Sequence, residues 1–337
     1  MLSEEEVLKV VNEQRSGMAA FDKKRDKGLK VPAGLKLFCD IPYSADGKEC
    51  LLDLYKSARH SKKPLPVIVS VHGGGWIYGD KELYSFYCME LARRGFAVIN
   101  YTYRLAPENK FPSALVDTNN VFKWILKNAA AYNLDCKNIF ATGDSAGANY
   151  LAIYAALLTN KKFAAEIPQV KCPSRLKLKG LYLNCGMFDW TKFMDEKNGS
   201  QNEQSRALLQ ALMPYGGTER EKEIASPALH VTKDFPKSFV VSAEFDFLRP
   251  MASVMAQSLS QVGAEFRFKI YSNSKEKLFH VFMLNLRSKE GRKSIDEQCA
   301  WFRSLAEQSE GFRSHSNKKR VVGLCPLGGD NARRDFR

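Results

Sequence analysis

Gly143-Asp144-Ser145-Ala146-Gly147 is the stretch on which the reading of this chain turns. Ahead of it, Asn138-Ile139-Phe140-Ala141-Thr142 has the make-up of a short buried strand. Behind it, the Ala-, Leu- and Tyr-rich run from Ala148 to Leu158 has that of a helix. A serine held between strand and helix sits on a sharp, strained turn that pushes its hydroxyl out of the sheet. Glycines flank it because side chains there would strike the neighbouring strand and helix, and because the turn needs unusual dihedrals. The turn also sets the serine at a helix N-terminus, whose unpaired N–H groups and dipole favour developing negative charge. A chance Gly-Ser turn is the plain alternative, and the strand–turn–helix context argues against it.

A second stretch supplies what such a serine needs. Val67-Ile68-Val69-Ser70-Val71 reads as a buried strand and runs straight into His72-Gly73-Gly74-Gly75-Trp76. Three glycines in a row let the backbone approach a ligand closely and present bare N–H groups. Acyl transfer uses such donors about 2.7–3.1 Å from the oxygen that becomes negative, each worth roughly 3–4 kcal/mol. A phosphate cradle is the competing use of a glycine-rich loop. Gly74 and Gly79 have the P-loop separation, but Asp80-Lys81 follow where Lys and Ser or Thr are required. A dinucleotide fingerprint also fails, because Trp76, Ile77 and Tyr78 stand where it needs a glycine. His72 reads as a brace for the loop rather than a participant in the chemistry.

With Tyr103-Arg104-Leu105-Ala106-Pro107-Glu108 and Phe111-Pro112 added between these two stretches, the chain resembles the bacterial hormone-sensitive-lipase-type esterases. The resemblance runs from about Leu35 to about Leu305. It implies the α/β-hydrolase fold, a mostly parallel central sheet flanked by helices, with a helical cap over the active site. It also implies a carboxylic-ester hydrolase with a Ser-Asp-His triad, without identifying the ester. In that fold the order along the chain is Ser, then Asp or Glu, then His. His60 and His72 precede Ser145, His230 precedes the acid candidates, and His315 lies in a polar, basic stretch, which leaves His280 of the five histidines. It follows the strand-like Glu265 to Tyr271, and His280-Val281-Phe282 matches the family's H-x-F signal. For the acid, both Glu244 and Asp246 lie just past the strand-like Phe239 to Ser242. The family's Asp-Pro-Leu-Arg-Asp pattern selects Asp246, matching also at Leu248 and Arg249 but departing at Phe247 and Pro250. Glu244 is the reserve.

These assignments imply a mechanism. His280 takes the proton of Ser145, and Asp246 holds the imidazole in the right tautomer and stabilises its charged form. The N–H groups of Ala146 and of Gly73, Gly74 and Gly75 meet the oxyanion. Trp76, Tyr78, Asp144, Phe188 and Trp190 are the candidate pocket residues. The aromatics among them put bulk where an acyl chain would lie, and so predict a preference for acetyl to hexanoyl esters. No cofactor and no metal are expected, since the chain has no H-E-x-x-H, no paired C-x-x-C and no dinucleotide fingerprint.

The rest of the chain fits one α/β-hydrolase catalytic domain over 1–312. Helical runs (one closing at Leu91 to Phe96, another from Ser113 to Tyr132) alternate with strand-like Ala97 to Thr102, Leu176 to Asn184, Ser238 to Ser242 and Phe266 to Tyr271. An amphipathic helix, Ser294 to Gln308, closes the domain. The cap is read from about 1–28, where Ser3 and Glu6 have capping-box spacing, and from about 187–223, with an apolar helix at Ser205 to Met213. The stretch 313–337 carries seven basic and two acidic residues and reads as a basic, flexible tail.

The acidic start Met1-Leu2-Ser3-Glu4-Glu5-Glu6 lacks a secretory h-region, and no apolar run approaches a membrane span. The eight scattered cysteines read as small buried hydrophobes in a reducing, cytoplasmic setting. A formal charge of +14 is spread along the whole chain with no nucleic-acid-binding motif, so it reads as a solvated basic surface. The expected partner is a small-molecule ester, with no nucleic acid and no membrane; the assembly is open, a homodimer included. Three function classes remain: a short-acyl carboxylesterase, a sugar deacetylase or amidase or formamidase on the same triad, and a non-catalytic small-molecule receptor. The receptors built on this fold replace the triad histidine, so His280 argues against the last.

Overall fold

Backbone hydrogen bonds gather eight strands into one sheet in the computed structural model, which describes residues 2–59, 63–194 and 202–318. The strands are β1 (Leu35–Pro42), β2 (Leu51–Ser57), β3 (Leu65–Val71), β4 (Ala97–Tyr101), β5 (Leu134–Asp144), β6 (Leu178–Asn184), β7 (Ser238–Ala243) and β8 (Phe266–Tyr271). Their spatial order is β1-β2-β4-β3-β5-β6-β7-β8. β2 pairs antiparallel with both β1 and β4, and every pairing from β4 to β8 is parallel.

Parallel neighbours need long crossovers, and helices supply them. They are α2 (Ser85–Arg93) after β3, α3 (Ser113–Tyr132) after β4, and α4 (Ala146–Thr159) with the short α5 (Lys161–Ala164) after β5. Next come α6 (Trp190–Phe193), α7 (Glu203–Leu212) and α8 (Glu219–Ile224) between β6 and β7, α9 (Arg249–Gln261) after β7, and α10 (Lys289–Lys318) after β8. α1 (Glu4–Asp26) precedes the sheet, and its capping box forms as the Ser3–Glu6 spacing predicts. Because strand side chains alternate, β3 sends Val67, Val69 and Val71 to one core and Ile68 to the other. Both faces are therefore sealed, and the residues at the carboxyl ends of the strands are left for chemistry.

The expected fold class holds, with four differences in detail. The antiparallel β1–β2 hairpin at the sheet edge and α9 were not expected. α9 starts with Pro250 in its first turn, a position where proline's missing N–H costs nothing. α10 extends beyond Ser294 to Gln308 at both ends, so Arg313 to Lys318, read as tail, are helical; residues 319–337 lie outside the described ones. Cys50, Cys88, Cys185 and Cys299 are buried as expected, Cys136 and Cys172 are half-buried, and Cys39 is exposed. Cys325 lies outside the described residues, as does His60. No described helix is long and apolar enough to cross a membrane.

The two segments read as a cap meet each other. α1 packs on α7, the Leu2 amide donates to Gln210 Oε1 at 3.0 Å, and Gln210 Nε2 donates back to the Leu2 carbonyl at 2.7 Å. α7 is tied to the main body where the Phe111 amide donates to the Leu212 carbonyl at 2.9 Å. Its Leu208 lies about 3.9 Å from where a Cβ on Gly75 would stand, which puts α7 over the glycine loop.

Candidate active site

Ser145 lies between the end of β5 and the start of α4 with φ +51° and ψ −119°, a conformation L-residues seldom adopt. The surroundings enforce it: the Ser145 amide donates to the Asn184 carbonyl on β6 at 3.0 Å. The flanking glycines are demanded by space. A Cβ on Gly147 would collide with the carbonyl oxygens of Val71 and His72, and one on Gly143 would meet the Gly147 backbone at 2.7 Å.

The loops after β7 and β8 bring two further groups to this serine. His280 Nε2 is 3.0 Å from Ser145 Oγ, and His280 Nδ1 is 2.7 Å from Asp246 Oδ1. With its Nδ1 proton directed at the carboxylate, the imidazole presents a lone pair on Nε2 to the serine hydroxyl. Asp246 also accepts from the Leu248 amide at 3.0 Å and from Ser242 Oγ at 2.5 Å. Burial alone would raise its pKa, but the hydrogen bond and charge of His280, with those two donors, hold it below the usual carboxylate range. Glu244 stays half-exposed, its carboxylate makes no bond to His280 among the described residues, and its backbone carbonyl accepts from Arg249. Beside Asp246 lies the buried Cys185, whose thiol pKa burial pushes well up.

The loop from His72 to Trp76 follows β3 on the other side of Ser145. Gly73 departs from its expected oxyanion role: its N–H donates to Tyr84 Oη at 2.8 Å. Tyr84 in turn donates to Asp144 Oδ2 at 2.8 Å. Gly74 and Gly75, with φ of +112° and +59°, lie in this loop, and Ala146 opens α4 directly after Ser145. His72 is a brace, as read from the sequence. Its ring stacks on Tyr103 at 3.9 Å, Nδ1 faces the Gly73 carbonyl at 2.7 Å, and burial lowers its pKa to about 4, so it is neutral. The Tyr103–Arg104 stretch supports the loop from behind, with Tyr103 Oη donating to the His72 carbonyl at 2.9 Å and Arg104 paired with the buried Asp117 at 2.8 Å.

The expected pocket residues take a different form. Trp76 and Trp190 face each other at 5.0 Å, Trp76 Nε1 donates to Asn149 Oδ1 at 3.2 Å, and Phe188 is wholly buried. All three belong to the buried hydrophobic core. Tyr78 turns away toward α1 and borders a shallow cleft of about 440 Å³ with Arg15 and Ser16. Asp144 lies beneath the glycine loop, and burial, partly offset by Tyr84, raises its pKa to about 7. Tyr84, Ser242 and Asn149 were missed in the sequence. Each is an ordinary residue whose role is set by distant partners, and no local pattern marks it.

Residues 52–259, more than half of the chain, match the family model described as BD-FAE. The chain is 25% identical over 224 residues to Esterase LipC of Mycobacterium tuberculosis, covering 63% of this chain and 54% of that protein. It is 28% identical over 229 residues to an esterase of Gibberella moniliformis, covering 63% and 66%. It thus spans between half and two thirds of the length of these relatives. A crystal structure of esterase B from Lactobacillus rhamnosis with a C4-C4 tributyrin phosphonate superposes with a TM-score of 0.83 at 23% identity, over 93% of this chain and 99% of that one. The shared fold is that of the α/β-hydrolase esterases.

Proposed function

From the premise that the chain belongs to the BD-FAE family, we propose that it is a serine carboxylesterase acting on small esters of short-to-medium acyl chains. The observation that carries this is the unbroken relay from Asp246 through His280 to Ser145, with hydrogen bonds of 2.7 and 3.0 Å. In the proposed reaction His280 removes the Ser145 proton as Oγ attacks the ester carbonyl. In this reading the N–H groups of Gly74, Gly75 and Ala146 meet the resulting oxyanion. His280 then protonates the departing alcohol, and a water repeats the sequence on the acyl-serine. Asp246 remains ionised throughout and steadies the imidazolium.

The preference for short acyl chains rests on the bulk of the buried aromatics Trp76, Phe188 and Trp190. Each further methylene could add about 0.8 kcal/mol of binding if room existed. Overfilling a packed core costs roughly 1–3 kcal/mol instead. α1 and the segment 187–223 act as a cap, on the strength of the α1–α7 contact and of Leu208 above Gly75. The unpaired cysteines favour a reducing, cytoplasmic location, and a homodimer is the assembly to look for by light scattering.

The test is hydrolysis of a p-nitrophenyl ester series together with labelling by a serine-directed phosphonate. We expect turnover to peak at acetyl to hexanoyl, and stoichiometric labelling that is lost in Ser145→Ala. A protein that binds the esters but neither turns them over nor takes the label would be a receptor. Faster turnover of acetylated xylo-oligosaccharides or N-formyl amides than of simple esters would move the activity to the deacetylase or amidase class.

A further inference from the structure

The loop that carries Asp246 alternates in burial. Asp246 and Leu248 point inward, while Phe245 and Phe247 point out and are 46% and 65% exposed. Phe279, which immediately precedes His280, is 59% exposed. Three phenylalanines beside the triad thus face solvent, although polar residues would have been easier to hydrate there. Phe245 and Phe279 have a structural use. Their backbones form an isolated parallel bridge, the Phe245 amide donates to the Leu278 carbonyl at 3.0 Å, and their rings lie 5.9 Å apart, so they clamp the two triad loops together. Phe247 has no such use. The imidazole of His280 is the one ring it touches among the described residues, at 4.5 Å and a tilt of 48°.

We propose that the exposed face of Phe247, against the His280 ring, is the binding site for the alcohol half of the ester, and that it selects an aromatic leaving group. This rests on the ester-hydrolase reading above. Because His280 delivers the proton to the departing oxygen, that oxygen must come within hydrogen-bond reach of Nε2. The first atoms of the alcohol then lie alongside the imidazole, next to the one aromatic face that protein packing leaves open. A planar, apolar group gains there from ring contact as well as from burial. An alkyl stub such as ethyl offers that face little area and no ring to pack against it. The step itself is ordinary ester cleavage: the bond from carbonyl carbon to alcohol oxygen breaks, and the proton that His280 took from Ser145 leaves with the alcohol.

The experiment holds the acyl group fixed and compares benzyl acetate with ethyl acetate, alcohols of similar basicity that differ in the ring. The wild type should favour benzyl acetate in kcat/KM. Phe247→Ala should reduce the benzyl-to-ethyl ratio by on the order of tenfold, mainly through KM, and Phe247→Trp should restore it. Phe268→Ala, an equally surface-placed phenylalanine on β8, should leave the ratio where it was. A ratio unmoved by Phe247→Ala, with ethyl acetate still hydrolysed, overturns this inference alone. No turnover of either ester by the wild type overturns the hydrolase reading and this inference with it. A jump in activity at the solubility limit of tributyrin that vanishes in Phe247→Ala would make this face a lipid-interface surface, and would also overturn it.

Discussion

Two clusters of aromatic side chains flank Ser145, and they are used in opposite ways. On one side, Trp76 is packed to near-complete burial together with Phe188 and Trp190 of the insert between β6 and β7. On the histidine side, Phe245, Phe247 and Phe279 stand in solvent. The residue class is the same; the difference lies in what covers it. Where the insert between β6 and β7 supplies partners, aromatic area is spent on stability and closes space. Where two short loops end, it stays available to a ligand. The two halves of an ester would accordingly meet a packed cluster and an open shelf.

The largest test asks whether Ser145 is the point between the two flanks. Ser145→Ala should lose on the order of 10⁶ in kcat, the scale seen when a triad serine is removed, while circular dichroism and melting stay close to the wild type. Retention of more than a few per cent of activity would place the chemistry elsewhere and dissolve the comparison. Asp246→Asn should cost on the order of 10⁴ in kcat because the amide favours the wrong imidazole tautomer. Glu244→Gln should do far less, and the reverse ranking would mean that the loop presents a different acid.

Trp190→Ala sharpens the contrast directly. Deleting a buried tryptophan costs about 3–5 kcal/mol of stability, readable by urea unfolding. The space it opens should also shift the best acyl chain to longer esters. An unchanged chain-length optimum would mean that the buried aromatics do not bound the acyl site.

The smallest effect concerns Asp144 beneath the glycine loop. Its pKa is raised in the folded protein to about 7 against 3.8. Stability from the neutral carboxyl is therefore fully present below about pH 4 and is lost as pH rises through 7. Asp144→Asn, which still accepts from Tyr84, should melt much like the wild type below about pH 4 and increasingly above it toward pH 8, by about 2–4 °C for each kcal/mol recovered. A difference that shrinks with rising pH would contradict the burial argument.

Much of this was legible in the sequence for a physical reason: the steepest constraints are local. Gly143 and Gly147 must be glycine because backbone presses on them, and strand, turn and helix are written within twenty residues of Ser145. Asp246 and His280 could be placed because they sit on short loops just past recognisable strands. What escaped depends on partners far along the chain. Tyr84 acquires its role only by lying between Gly73 and Asp144, so the same contact that recruits it withdraws Gly73 from the oxyanion. Pro250 looked like a broken loop motif and is instead the first turn of α9. The β1–β2 hairpin is half-exposed and interrupted near Asp40, which has φ +57°, so its alternation is blurred. Pocket aromatics could be named from the sequence, but whether they line space or fill it depends on packing.

The backbone of Ser145 has one more consequence. A φ of +51° with ψ −119° is tolerable for glycine and costly for serine, by about 1–3 kcal/mol. Ser145→Gly should therefore be inert and yet more durable to heat than its parent. A library ranked by expression or melting temperature alone would be drawn toward that dead variant. Directed evolution of this scaffold needs turnover in every round of selection, because at residue 145 folding and chemistry pull in opposite directions.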